Sequence, residues 1–111
     1  MTIAETSKKY GLTADTLRYY ERIGLIPPVP RTKGGVRNYD DASCGWIELV
    51  KCMRSAGVQI EALIEYGALC RQGEGTEERR KEILLEQRAL LLGRMEKMQR
   101  SLDLSRIHIS E

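Results

Sequence analysis

Three prolines within four residues, in the stretch Pro27-Pro28-Val29-Pro30, limit the fold of this chain more than any other feature. Proline has no backbone N–H and a fixed φ, and it disfavours helix for the residue before it. No helix can therefore cross this stretch. The segments on both sides have apolar residues at helical spacing, so the sequence predicts a mainly α protein divided by an extended connector.

Two short helices are predicted before the connector, over residues 3–22. Thr2 and Glu5 have the spacing of a capping box for a first helix, which Gly11 stops. Thr13 can cap a second helix. A helix, a glycine turn and a helix form either a helix-turn-helix or an ordinary αα-hairpin, and the spacing alone does not separate the two.

The second predicted helix has a basic and aromatic outer face. On a helical wheel Leu17 and Tyr20 point to one side, which we expect to face the core. Arg18, Tyr19 and Arg22 lie on the opposite side. A solvated helix face usually mixes charges more evenly, whereas arginine and tyrosine can bind phosphates and base edges. The pattern favours a nucleic-acid-binding helix-turn-helix over the plain hairpin.

A short β-hairpin is predicted after the connector, over residues 31–39. Gly34 and Gly35 suit its turn, and the residues that follow alternate as in a strand. Lys33 and Arg37 place positive charge near its tip. Such a two-stranded ribbon is typical of a wing that lies on a phosphate backbone; a surface loop with ordinary lysines is the alternative.

Two further amphipathic helices are predicted, over residues 41–55 and 59–71. Aspartates can cap the first of them, Gly57 separates the two, and each has an apolar stripe. The glycine-rich break at residues 72–75 marks the expected end of a head domain that covers residues 1–72.

From residue 76 onwards the chain is rich in charged residues and leucine, and its apolar residues follow a seven-residue repeat. This repeat predicts a long dimerisation helix over residues 76–104 that forms an antiparallel coiled coil; a single helix folded back on its own head is the alternative. We expect residues 105–111 to form a tail of uncertain order. The seam positions are Leu84, Leu91, Met95, Met98 and Leu102.

Composition and charge limit the possible classes of protein. The chain has 111 residues, 41% of them hydrophobic, and no phenylalanine, so its core is small and aliphatic. Its formal charge is only +2, yet residues 8–37 hold seven basic and two acidic residues. A basic field confined to one segment favours a phosphate-binding surface. With no membrane span, no signal peptide and no paired cysteines apparent, we expect a cytoplasmic protein without a membrane partner.

The order of these motifs resembles the MerR family of bacterial transcription regulators. The resemblance rests on TADTLRYYERIGLIPP (residues 13–28), on RTKGGVRNY (31–39) and on the helix that ends in MRSAG (53–57). It implies a winged helix-turn-helix head and a homodimer that binds a pseudo-palindromic operator in double-stranded promoter DNA. It also implies that the activated dimer distorts the promoter, which assists RNA polymerase indirectly.

The resemblance further implies DNA contacts from the recognition helix, the wing and the helix after it. Tyr20 ranks below Tyr19 as a contact because the helical wheel turns it inward. Most contacts should be to phosphates, with part of the specificity in DNA deformability. Gly45 departs from the family pattern and is expected to weaken its helix. The implied contacts are Thr16, Arg18, Tyr19, Tyr20, Lys33, Arg37, Tyr39 and Arg54.

The expected switch is a cysteine, since the sequence indicates no metal site and no cofactor. His108 is the only histidine, and the cysteines lack ligand spacing. Cys52 follows Lys51 and lies off its helix's apolar stripe, and a partly exposed thiol near positive charge is expected to be reactive. The segment VKCMRSAG (residues 50–57) also resembles the thiol-dependent branch of the family, which responds to aldehydes and other electrophiles. Cys52 is therefore the predicted sensing thiol for a small electrophile; a packing role is the alternative.

Four other functions stay open at this point. An enzyme with a cysteine nucleophile would need a base, and the only histidine lies in the tail, so we predict no catalysis. A coiled-coil interaction protein would use its head for protein contacts. An architectural DNA-binder would lack an effector, and a MerR-like regulator could respond to a non-thiol effector. Strongly salt-dependent binding to duplex DNA argues against the interaction protein.

Overall fold

Five helices form most of the protein, which confirms the predicted mainly α fold. The computed structural model describes residues 1–111. None of the helices combines the length and apolar character needed to cross a membrane. The helices are α1 (Ile3–Tyr10), α2 (Ala14–Arg22), α3 (Asp41–Ser55), α4 (Ile60–Gln72) and α5 (Glu77–Ser110).

Local side-chain signals determine where the first three helices begin. The Thr2 hydroxyl accepts the Glu5 N–H at 3.1 Å, and the Glu5 carboxylate accepts the Thr2 N–H at 2.9 Å. This is the predicted capping box. Gly11 ends α1 with a φ of +65°, which a residue with a side chain rarely adopts. Thr13 and Asp40 cap α2 and α3 through their side-chain oxygens.

The proline connector is part of the core. Leu25, Ile26 and Val29 are all buried, and they pack with Leu17 of α2 and Ile47 of α3. The apolar residues before and among the prolines therefore face inward, while the prolines prevent further helix. As a result the connector fixes the position of α2 relative to α3.

Residues 31–37 form a tight hairpin loop with a single antiparallel bridge between its end residues. The Thr32 N–H donates to the Val36 carbonyl at 2.8 Å, and the Asn38 N–H donates to the Pro30 carbonyl at 2.7 Å. The two-stranded wing expected from the sequence is thus reduced to one bridge. The reason is that Pro30 and the prolines before it cannot donate the next ladder bonds.

The last helix, α5, is 34 residues long and continues through the segment for which we expected a tail of uncertain order. Residues 105–110 contain no glycine or proline. Their serine hydroxyls bond to carbonyls of the preceding turn, as from Ser110 to Arg106 at 3.0 Å. Nothing local therefore ends the helix earlier.

The first half of α5 packs against the head and the second half projects away from it. Ile83 is buried, and Leu91 packs against the head core. Arg79 holds α5 to α4 with two hydrogen bonds to the Glu65 carboxylate, at 3.0 and 3.1 Å. Beyond Leu91 the apolar side chains of α5 are mostly exposed, which leaves a stripe with no partner in the chain.

Candidate nucleic-acid interface

Helix α2 presents the basic and aromatic face that the helical wheel predicts. Leu17 is fully buried and Tyr20 is half-buried against the core. Arg18 and Tyr19 are exposed, Tyr19 to 41%. The guanidinium of Arg22 lies 5.4 Å from the centre of the Tyr19 ring, within the range of a cation–π contact. The outer face of α2 is thus an accessible surface of donors and one aromatic ring.

Two short-range contacts lie in the N-terminal half of this face. The Thr16 hydroxyl, in the first turn of α2, is 2.8 Å from the hydroxyl of the capping residue Thr13. Arg18 pairs with Asp15 at 3.0 Å, but the Asp15 side chain is 96% exposed. An ion pair this exposed is weak, so Arg18 can exchange the carboxylate for another anion at little cost.

The hairpin loop contributes Lys33, which is exposed. Beside it, Arg31 donates from Nη1 to the Gly35 carbonyl at 3.0 Å. Gly35 has a φ of +81°, so the turn needs glycine there. The bond from Arg31 joins the two sides of the loop that carries Lys33.

Tyr39 requires a correction. The resemblance implied a wing contact, whereas the structure places Tyr39 in the core, 1% exposed, with a buried hydroxyl that has no hydrogen-bond partner. Burial raises the pKa of Tyr39. Its N–H donates to the Met1 carbonyl at 2.8 Å, which joins the start of the chain to the base of the hairpin. Tyr39 therefore packs beneath the interface and does not reach its surface.

Arg37 also differs from expectation, because it has an internal partner. Its Nε donates to Glu21 of α2 at 2.8 Å, and the Arg37 side chain is only 26% exposed. Sequence reasoning missed Glu21. The available signal was that residues 8–37 hold only two acidic residues among seven basic ones.

Comparison with known proteins decides the family. The family model of the MerR HTH regulatory proteins matches residues 1–68 of this chain. The chain belongs to the MerR family. Among the relatives is AdhR, an HTH-type transcriptional regulator of Bacillus subtilis (strain 168), which is 56% identical over 92 residues. The match covers 83% of this chain and 66% of AdhR, so it spans just under two thirds of that relative.

Two solved MerR structures share the fold. A protein from Listeria monocytogenes assigned to the MerR family of transcriptional regulators has a TM-score of 0.94 at 50% identity, over 98% of this chain and 83% of that one. HiNmlR is described as a MerR family regulator lacking the sensor domain, and its structure contains promoter DNA. It has a TM-score of 0.89 at 28% identity, over 98% of this chain and 86% of that one.

The MerR resemblance also implied a contact from Arg54. Arg54 is exposed in the last turn of α3, and its Nη1 donates to the Val58 carbonyl at 2.7 Å. The contact of Glu21 with Arg37 joins α2 to the hairpin loop, whereas no hydrogen bond or ion pair joins Arg54 to either of them.

The three cysteines occupy different environments in this MerR protein. Cys52 is exposed, Cys44 is buried and Cys70 is half-buried. Burial, and then the Cys44 thiol, raise the pKa of Tyr10 to about 12. Cys52 lies at the edge of an open hollow of about 470 Å³. The other residues lining this hollow are Lys9, Tyr10, Glu48, Lys51 and Ser55.

Proposed function

We propose that this protein is a transcriptional regulator that binds promoter DNA through α2 and the hairpin loop. The observation that supports this most directly is the exposed Arg18, Tyr19 and Arg22 face of α2, in a fold shared with a promoter-bound MerR regulator. The arginines donate to phosphates and guanine edges, and Tyr19 donates to phosphate. Lys33 adds a phosphate contact from the loop.

The regulator acts as a homodimer in this proposal, with residues 1–72 as the head and α5 as the dimerisation helix. Met95, Met98 and Leu102 are each more than 60% exposed and lie on one side of α5. An exposed apolar stripe of this length is typical of a protein interface, and its seven-residue spacing suits a second helix. Antiparallel pairing places the two heads at opposite ends.

Two separated heads account for a promoter-distorting mechanism. Each head places one α2 in the major groove of a half-site, while the loops grip the neighbouring phosphates. If the distance between the heads does not match straight DNA, the duplex must bend or untwist to engage both. A change in that distance would then alter the spacing of the promoter elements offered to RNA polymerase, without direct contact between the two proteins.

DNA binding is tested with duplexes selected from a random-sequence pool. We expect a nanomolar to micromolar complex whose affinity falls steeply with salt. Arg18→Ala should reduce the log–log salt slope by about two, one contact for each head of the dimer. Arg100→Ala removes an exposed arginine from the far part of α5, and it should leave the DNA affinity and the salt slope unchanged. Failure to select any duplex, or a salt slope near zero, would contradict the proposal and favour a coiled-coil interaction protein.

The proposed effector is a small electrophile that modifies Cys52. Two observations support this proposal. Cys52 is exposed whereas Cys44 is buried, and two lysines line the hollow beside Cys52. Substoichiometric N-ethylmaleimide followed by peptide mapping should label Cys52 well before Cys44 and Cys70. Cys52→Ser should keep DNA binding and lose any response to the modification. Equal labelling of Cys52 and Cys70 would instead favour a regulator with a non-thiol effector.

A further inference from the structure

Glu21 joins three segments of the head that are separate in sequence. Its Oε1 accepts from Arg37 Nε at 2.8 Å in the hairpin loop, and its Oε2 accepts the N–H of Val29 in the proline connector at 2.7 Å. Glu21 itself belongs to α2. Its side chain is 15% exposed, whereas Asp15, the other acid of α2, is 96% exposed. One carboxylate thus uses both oxygens to tie the recognition helix to the connector and the loop.

The contact leaves most of the Arg37 guanidinium available. Only Nε is bonded, and neither terminal nitrogen of Arg37 has a partner in the protein. A guanidinium has five N–H donors in a rigid plane, so a carboxylate on one edge does not prevent binding of a phosphate on another. Held in this way, the group would lose little rotamer freedom on binding DNA.

The negative charge of Glu21 should repel DNA phosphates, so a carboxylate in this interface is unfavourable for DNA binding unless it also supports a favourable contact. Arg31 also lies near, since its charge helps to lower the pKa of Glu21. Burial alone would raise the pKa of Glu21, but hydrogen bonds from Arg37 and from the Val29 N–H outweigh it, so the pKa of Glu21 is lowered. Glu21 is therefore a carboxylate ion within a segment whose charge is mainly positive.

We propose that Glu21 is a positioning residue of the nucleic-acid interface. Its carboxylate fixes the hairpin loop against α2 and orients the Arg37 guanidinium so that the terminal nitrogens bind a DNA phosphate. This inference rests on the proposed function. It also explains how Arg37 serves the interface while paired with an acid of the same chain.

The sign of one mutational effect tests this inference. Glu21→Gln removes a negative charge from a DNA-facing region, so a residue without a positioning role would give equal or tighter binding. If Glu21 positions Arg37, Glu21→Gln should weaken binding to the selected duplex by about tenfold for each head, the scale of one charge-assisted contact. The matched control is Asp15→Asn, which removes an acid from the same helix and should bind equally or more tightly.

The salt dependence of DNA affinity distinguishes a positioning role of Glu21 from a merely structural one, because a merely structural role would leave the salt slope unchanged. Glu21→Gln and Arg37→Gln should each lower the salt slope by about two, one phosphate contact for each head of the dimer, and the double variant should lose no more than Arg37→Gln alone. Arg37→Lys covers the case in which Glu21→Gln folds poorly. Lysine keeps the positive charge of the loop, but its ammonium group has no second edge with which to bind a phosphate while it pairs with Glu21. We therefore expect Arg37→Lys to bind DNA weakly. Arg37→Lys with wild-type affinity would overturn the proposal, as would Glu21→Gln with unchanged affinity and slope.

A measurement without DNA separates this inference from the proposed function. In the free protein the Arg37 Nε–H should give a slowly exchanging NMR signal that is lost in Glu21→Gln. If no duplex binds but this signal behaves as expected, the function proposal alone fails and Glu21 positions the loop for another ligand. A rapidly exchanging Nε–H in the wild type would overturn the positioning role itself.

Discussion

The buried phenol of Tyr39 is a costly feature for a small head domain. Its hydroxyl lies in the core without a partner, so folding removes it from water and returns no hydrogen bond. The ring, in contrast, is among the largest fully buried side chains and fills space beneath α2 and the loop. At this position the ring stabilises the fold and the hydroxyl does not.

Tyr39→Phe should therefore stabilise the protein by up to about 1 kcal/mol, because it deletes only the unpartnered group. Thermal unfolding of the two proteins at the same concentration measures the difference. DNA affinity should not change, since the hydroxyl does not reach the surface. A tenfold loss of affinity would show that Tyr39 becomes exposed in the complex and donates to DNA after all.

The ion pair of Glu21 should also appear in the pH dependence of stability. The pKa of Glu21 is lowered in the folded protein, so its contribution is present above the unfolded value near 4.5 and is lost as the pH falls through the lower folded value. Glu21→Gln has no such contribution. Urea unfolding between pH 7 and pH 3 should show a shallower acid loss in the variant; parallel profiles would mean that the pair adds no stability.

At the scale of elements, two glycines in and after α3 have opposite roles. Gly45 lies inside the helix, is exposed, and has no atom within 4 Å of an added Cβ. Gly57, which follows the helix, has a φ of +88°, and an added Cβ would lie 3.1 Å from Nη1 of Arg94 in α5. Arg94 donates to the Ala56 carbonyl at 2.8 Å, so this tight junction joins α3 to α5.

Gly45→Ala should stabilise the protein by about 0.5–1 kcal/mol, because alanine restricts the unfolded chain and meets no clash. Gly57→Ala should destabilise it by about 1–2 kcal/mol, because the left-handed conformation disfavours a side chain. Chemical denaturation of both variants checks the pair. If both substitutions changed the free energy of unfolding in the same direction, the roles assigned to Gly45 and Gly57 would be wrong.

At the scale of the whole molecule, the shape is dominated by α5. The protein extends over 66 × 37 × 19 Å, and the far half of α5 has no packing partner within the chain. A lone helix of this kind is only marginally stable in water and gains most of its stability from packing. In the proposed dimer a second chain supplies that packing, so we expect the folding of α5 to depend on protein concentration.

Two leucines of α5 allow a matched test of the dimer. Leu102 is 63% exposed on the proposed seam, and Leu104 is 55% exposed, about 200° further around the helix. Leu102→Glu should give monomers in sedimentation experiments and reduce helical content. Leu104→Glu introduces the same charge and should remain dimeric. Dissociation by both, or by neither, would place the interface elsewhere.

The sequence by itself determined the features that depend on neighbouring residues. The capping box of Thr2 and Glu5, the inward turn of Leu17 and the absence of helix across the prolines all follow from interactions within about one or two turns of chain. The exposed basic face of α2 follows from the helical spacing of its residues. The family resemblance added the order of these elements, and residues 1–68 match the family.

Only the tertiary structure decided which polar groups find partners across the chain. Arg37 meets Glu21 across 16 residues, and Tyr39 is buried in a core to which α2 and the connector also contribute. Helical spacing cannot reveal these positions, because burial and pairing depend on how separate segments meet. Local interactions determined where the helices lie in the sequence, and the packing of those helices decided which basic side chains remain exposed.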